Sequence, residues 1–188
     1  MSRSPSPDSH NSLSRDPGTI QPVMVERLAD LKLIEGAEAA IARLSSASFV
    51  CPVVTIQSRI QKGHFSLADF QDWFQAFADS LSLCNARVVG PYVCPHRFAD
   101  PCTCKKPHTL LFEKAAADHE LDLERSFVIG DTARDVEAAT RFGGVGVLVR
   151  SGCGQSSDEV LRARPYASYV AQSLVDAVDW ILSRSDGN

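Results

Sequence analysis

Short apolar runs alternate with amphipathic helical stretches along most of this 188-residue chain. That alternation restricts the possible folds more than any other feature. The spacing predicts helices over 36–44, 66–83, 110–119, 135–142 and 173–182, with strands over 49–55, 87–93, 126–129 and 145–149. Ser66 is the expected N-cap of the second helix, whose apolar face carries Phe70, Phe74, Phe77 and Leu81. Gly143 and Gly144 are expected to close the fourth. Strands separated by helices are expected to pair in parallel, in an α/β sheet covered by helices on both faces. In such sheets a ligand site lies beyond the carboxyl ends of the strands. That rule selects 55–58, the cysteine-rich stretch after residue 93, Lys106 and 130–135, all of them polar.

The length suits one domain and is short for two. Residues 1–19 contain a single Leu among polar residues and prolines, too little apolar surface to offset ordering entropy, so a disordered tail is expected there and a globular domain over 20–188. A formal net charge of −4 argues against a nucleic-acid binder held by phosphate contacts. No apolar run reaches membrane-spanning length, and the first residues lack the apolar core of a secretory signal, so a cytoplasmic protein is expected, with a monomer as the default.

Six cysteines are present. Cys51, Cys84 and Cys153 lie scattered in apolar or Gly-rich surroundings and are expected to be packing residues. The others crowd the stretch C-P-H-R-F-A-D-P-C-T-C, which offers Cys94, His96, Cys102 and Cys104. Three thiolates and an imidazole at this spacing can wrap one tetrahedral zinc ion. Four protein ligands leave no open position, so the role of such a zinc is structural; the alternative is a loop of incidental reduced thiols.

A second group of polar residues follows the strands. F-V-I-G-D-T-A-R-D places Asp131 and Asp135 after an apolar run, as hard oxygen ligands suited to Mg²⁺, or else as a helix cap and a solvated first-turn acid. Lys105 and Lys106 follow the cysteine loop, where a lysine can neutralise a phosphate or simply be a solvated charge. Thr55 ends a strand, with Gln57 and Ser58 beyond it. A hydroxyl so placed, with nearby backbone N–H groups, can hold a phosphate oxygen, or it can belong to a capped loop.

The order of these pieces resembles the haloacid dehalogenase (HAD) superfamily, and more narrowly its zinc-loop branch, which acts on heptose bisphosphate and histidinol phosphate. The stretch T-I-Q-S-R-I-Q-K-G-H-F-S is similar to that branch's T-N-Q-S-G-I-A-R-G-x-F-T, and L-V-R-S-G-C-G to its late strand and glycine turn. The resemblance implies a Rossmann-like fold without a large cap and hydrolysis of a small phosphate monoester with Mg²⁺; the single short domain points to a sugar phosphate, with histidinol phosphate as the alternative. Thr55 then binds phosphate and Lys106 neutralises it. Asp131 ligates magnesium with Asp135 in support, and Gln57, Ser58, Lys62 and Lys105 face the substrate.

That superfamily opens with D-x-D-G-T after an apolar strand. Here Ser14-Arg15-Asp16-Pro17-Gly18-Thr19 stands nearest to it, with Asp16 in place of the acid-base carboxylate and Ser14 in place of the nucleophile. No apolar run precedes it, so the first central strand is expected to be missing or replaced, with 20–25 (I-Q-P-V-M-V) as the substitute. Two functions follow. One is a phosphatase using Asp16; the other is a zinc-stapled pseudophosphatase that binds a phosphate or a partner without turnover.

Overall fold

The computed structural model describes residues 33–185. The elements run α1 (Ala37–Ser46), β1 (Pro52–Ile56), α2 (Ser58–Gln61), α3 (Leu67–Ser82), β2 (Val89–Cys94), α4 (Leu110–His119), β3 (Phe127–Gly130), α5 (Ala133–Arg141), β4 (Val145–Val149), a 3₁₀ turn at Gly152–Gln155, α6 (Ser157–Ala163), β5 (Ala167–Ala171) and α7 (Leu174–Ser185). All strand pairs are parallel. The tail expected over 1–19, the candidate strand over 20–25 and Asp16 lie outside the described residues.

Local chemistry accounts for several boundaries. Ser66 caps α3 through a reciprocal box: its Oγ accepts from the Asp69 N–H at 3.0 Å, and Asp69 Oδ2 accepts from the Ser66 N–H at 2.8 Å. Phe74, Ala78 and Leu81 are the residues of α3 that are buried, while Phe70 and Phe77 are half-buried. β1 begins at Pro52 rather than at residue 49, because proline lacks the ladder donor and is tolerated as a first strand residue. α5 begins at Ala133, two residues before its expected start, because Thr132 occupies the cap position and donates its N–H to Asp135 Oδ2 at 3.0 Å. α2, α6, β5 and the 3₁₀ turn are additions to the expected elements; each spans only four to seven residues, too few for a periodic pattern to stand out.

β4 organises the core. Its side chains alternate between faces. Val147 and Val149 pack with Ala40 and Leu44 of α1 and with Val178 and Ile181 of α7. Leu148 points the other way, to Val136 of α5 and Ala163 of α6. This is the expected three-layer arrangement. Of the remaining thiols, Cys51 packs half-buried against the first cluster, but Cys84 and Cys153 are exposed and do not serve as packing residues.

The described strands form two sheets, β1-β2 and β3-β4-β5. Among the described residues β1 pairs only with β2, and β3 lies at the edge of its own sheet beside β4. The two are neighbours all the same: Phe49, just before β1, meets Phe127 of β3 with ring centroids 6.3 Å apart. β1 and β3 are half-buried along their whole length, whereas β4 is buried from Gly146 onward. No helix among the described residues is long and apolar enough to cross a membrane.

Candidate functional site

The carboxyl ends of β1, β2 and β3 deliver the polar residues singled out above to one edge of the molecule. Lys106 is central among them. Its side chain is mostly buried, its Nζ donates to the Val54 carbonyl of β1 at 3.1 Å, and it forms an ion pair with Asp135 Oδ1. Asp135 is 5% exposed, and its other oxygen accepts from both the N–H and the hydroxyl of Thr132. Both Asp135 oxygens are therefore engaged by protein groups. The close approach of α5 to β3 needs glycine at 130, where a Cβ would lie 2.2 Å from that of Asp135.

Asp131 does not cap the helix; Thr132 does. Instead Asp131 Oδ2 accepts the Cys153 N–H at 2.9 Å, so the glycine turn after β4 orients it. Gly152 in that turn has φ +51°, and a Cβ there would lie 2.4 Å from Asp131 Oδ2. A small cavity of about 200 Å³ opens over Lys106, Asp131, Thr132 and Asp135, with Ile56 and Phe98 on its walls. An adjoining cavity of about 330 Å³ includes Lys105, His108 and Asp100. Phe98, Lys106 and Arg134 line both.

The other candidates are placed differently. Thr55 Oγ1 accepts from Gln57 Nε2 at 3.1 Å, and the Gln57 N–H donates to the Cys94 carbonyl at 2.8 Å. Ser58 opens α2. Thr55, Gln57 and Ser58 gather at the end of β1 but line neither cavity, and exposed Lys62, at the far end of α2, lines neither as well. Lys105 donates from Nζ to the carbonyls of Arg97, Phe98 and Asp100, which staples the loop preceding it.

That loop gathers the soft ligands. Buried Cys94 ends β2, with its Sγ 3.7 Å from His96 Nδ1 and 3.8 Å from Cys102 Sγ. His96 Nδ1 lies 3.2 Å from Cys104 Sγ, and the four ligand atoms lie within 4.8 Å of one another, a set that can hold a metal ion. Burial, with Cys94 and Cys102 alongside, pushes the Cys104 thiol up to about 12. Burial also opposes ionisation of Cys102, but hydrogen bonds from the Lys105 backbone and neighbouring thiols outweigh it and lower that thiol. Three crowded sulfurs ionise together only with a cation between them.

Arg134 and Phe98 are absent from the residues selected by sequence. Arg134 lies in the first turn of α5 and its guanidinium sits 5.0 Å from the centroid of the Phe98 ring. The signal that could have revealed it is local: a basic residue at the positive end of a helix, between two acids.

A family model described as HAD-hydrolase-like matches residues 103–177. A D-glycero-D-manno-heptose-1,7-bisphosphate 7-phosphatase of Thermosynechococcus vestitus is 34% identical over 172 residues, covering 84% of this chain and 86% of that protein. The D-glycero-beta-D-manno-heptose-1,7-bisphosphate 7-phosphatase of Escherichia coli K12 is 31% identical over 160 residues, covering 81% and 82%. Among solved structures, the D,D-heptose 1,7-bisphosphate phosphatase of B. bronchiseptica, complexed with magnesium and phosphate, superimposes with a TM-score of 0.78 at 25% identity, covering 88% of this chain and 92% of that one. These matches cover more than four fifths of the chain. The chain belongs to the HAD-like hydrolase family.

Proposed function

We propose that this protein binds a phosphorylated sugar of the heptose bisphosphate kind and, as a phosphatase, hydrolyses one of its phosphate monoesters with Mg²⁺. The observation that carries this reading is the shared cavity of Lys106 and Asp131 at the carboxyl ends of the strands. Lys106 supplies a fixed positive charge for a phosphate, and Asp135 holds it in place. Asp131, oriented by the Cys153 N–H, is the principal magnesium ligand, with Asp135 in support. When bound, Mg²⁺ neutralises phosphate charge at this edge. Thr55 and the Gln57–Ser58 turn close the phosphate side, and Lys62 and Lys105 are assigned to the substrate. The names of the relatives support heptose bisphosphate over histidinol phosphate as the substrate class.

Zinc is the proposed occupant of the cysteine loop. Zn–S bonds of about 2.3 Å in a tetrahedron require sulfurs about 3.8 Å apart. The Cys94–Cys102 separation of 3.8 Å supports that fit. A cytoplasmic setting and a monomer are proposed alongside it.

Turnover depends on where Asp16 lies. A HAD nucleophile and its acid stand at the carboxyl end of the first strand, beside Lys106. Ser14 in the nucleophile's place leaves a second reading, a pseudophosphatase that binds without turnover. Phosphate release from heptose 1,7-bisphosphate and from histidinol phosphate, measured with and without Mg²⁺, separates the readings. Release abolished by both Asp131→Asn and Asp16→Asn establishes the phosphatase. Binding of the bisphosphate without release establishes the pseudophosphatase. Neither binding nor release would remove both.

A further inference from the structure

We propose that Arg134, laid across the exposed ring of Phe98, anchors a second anionic group, a phosphate, on a ligand whose first phosphate lies at Lys106 and Asp131. The inference rests on the phosphate site proposed above and adds the residue that distinguishes a bisphosphate from a monophosphate.

Three independent features of Arg134 point this way. It occupies the first turn of α5, where the helix dipole disfavours a cation. Among the described residues no carboxylate pairs with it, although Arg43, Arg141 and Arg162 all have such partners. Its guanidinium is instead held over Phe98, which leaves its hydrogen-bonding edge available to a ligand.

Phe98 is 61% exposed and contributes nothing to the core, so packing does not explain a large apolar ring there. The backbone that carries the ring is held in place. Lys105 Nζ binds the carbonyls of Arg97, Phe98 and Asp100 and lies 5.8 Å from the same ring. Phe98 is thus a platform that two cations, Lys105 and Arg134, approach.

The position of this platform decides what it can do. Arg134 and Phe98 line both cavities, the small one over Asp131 and the larger one beside it. A ligand with one phosphate in the small cavity passes this pair as it extends into the larger. There Lys105 and His108 face it along with one carboxylate, that of Asp100, so the balance of groups favours an anion. The planar fork of Arg134 matches a phosphate in bidentate fashion.

The test is calorimetric titration with D-glycero-D-manno-heptose 1,7-bisphosphate, the corresponding 7-monophosphate and inorganic phosphate, with Ca²⁺ replacing Mg²⁺ so that a bound ester is not consumed. Arg134→Gln is expected to weaken the bisphosphate about tenfold and to change monophosphate and inorganic phosphate less than twofold. Phe98→Leu keeps the charge but removes the platform, and should give a smaller loss confined to the bisphosphate. Arg134→Lys should restore part of the affinity. Equal effects of Arg134→Gln on all three ligands, or no effect on any, overturn the proposal. Inorganic phosphate that binds the wild type and is lost in Lys106→Gln shows that the underlying site stands even if the Arg134 proposal fails. A wild type that binds none of the three overturns both.

Discussion

Lys106 and Asp135 form an ion pair beneath the cavity, and the same Lys106 Nζ holds the Val54 carbonyl of β1. One side chain therefore ties the two-stranded sheet to α5, which follows directly from the three-stranded sheet. Between two sheets whose described strands do not pair with one another, such a tie positions the site and contributes to stability.

Removing one partner strands the other. Lys106→Met leaves Asp135 buried without its counter-charge and should destabilise the protein by about 3 kcal/mol. Lys106→Met with Asp135→Asn should recover part of that loss, because the neutral amide no longer needs a cation. Urea denaturation of the two single variants and the double variant gives the coupling energy. Additive losses would show that the pair is not a unit.

Metal removal should reach the whole fold. With zinc bound by Cys94, His96, Cys102 and Cys104, purified protein should contain about one equivalent, and chelation should lower the melting temperature. Cys102→Ser should do the same without chelator. Elemental analysis and a thermal melt check both points; metal-free protein of unchanged stability would count against the site.

Gly152→Ala tests the orientation of Asp131. A Cβ at this positive φ meets Asp131 Oδ2 at 2.4 Å, so either the turn or the carboxylate must move. The expected result is a stability loss of about 1 to 2 kcal/mol with weakened Mg²⁺ binding. Denaturation and magnesium titration read the two effects separately.

The cap of α3 should produce an acid-side stability slope. Hydrogen bonds from the Ser66 side chain and backbone hold the Asp69 carboxyl below its ordinary range. A carboxylate lowered in the folded state adds stability above its unfolded pKa, and that stability is lost as pH falls through the folded value. Ser66→Ala should cost about 1 kcal/mol near neutrality, and less once Asp69 is protonated. Thermal melts from pH 7 downward should show the wild type and variant converging; parallel curves would argue against the box.

Much of the fold was legible because its signals are local. Ser66 with Asp69 three residues on, the apolar period of α3, and the runs that became β3 and β4 depend on neighbours along the chain, so sequence alone determined them. The four ligands of the cysteine loop fall within eleven residues, and their spacing by itself indicated that they could converge. Other features arise from contacts between distant segments. Asp135 became a buried partner of Lys106 because α5 packs on β3 over Gly130. Arg134 found Phe98 across 35 intervening positions, and no periodicity encodes such a meeting. The short β5 carried no clear pattern, yet it buries Ala171 beside β4 and α7. Sequence determined which residues are able to form helices, strands and ligand clusters, because backbone propensity and capping act over a few residues. Only the tertiary structure decided which charges share a cavity, because burial and pairing depend on surfaces that the chain brings together from far apart.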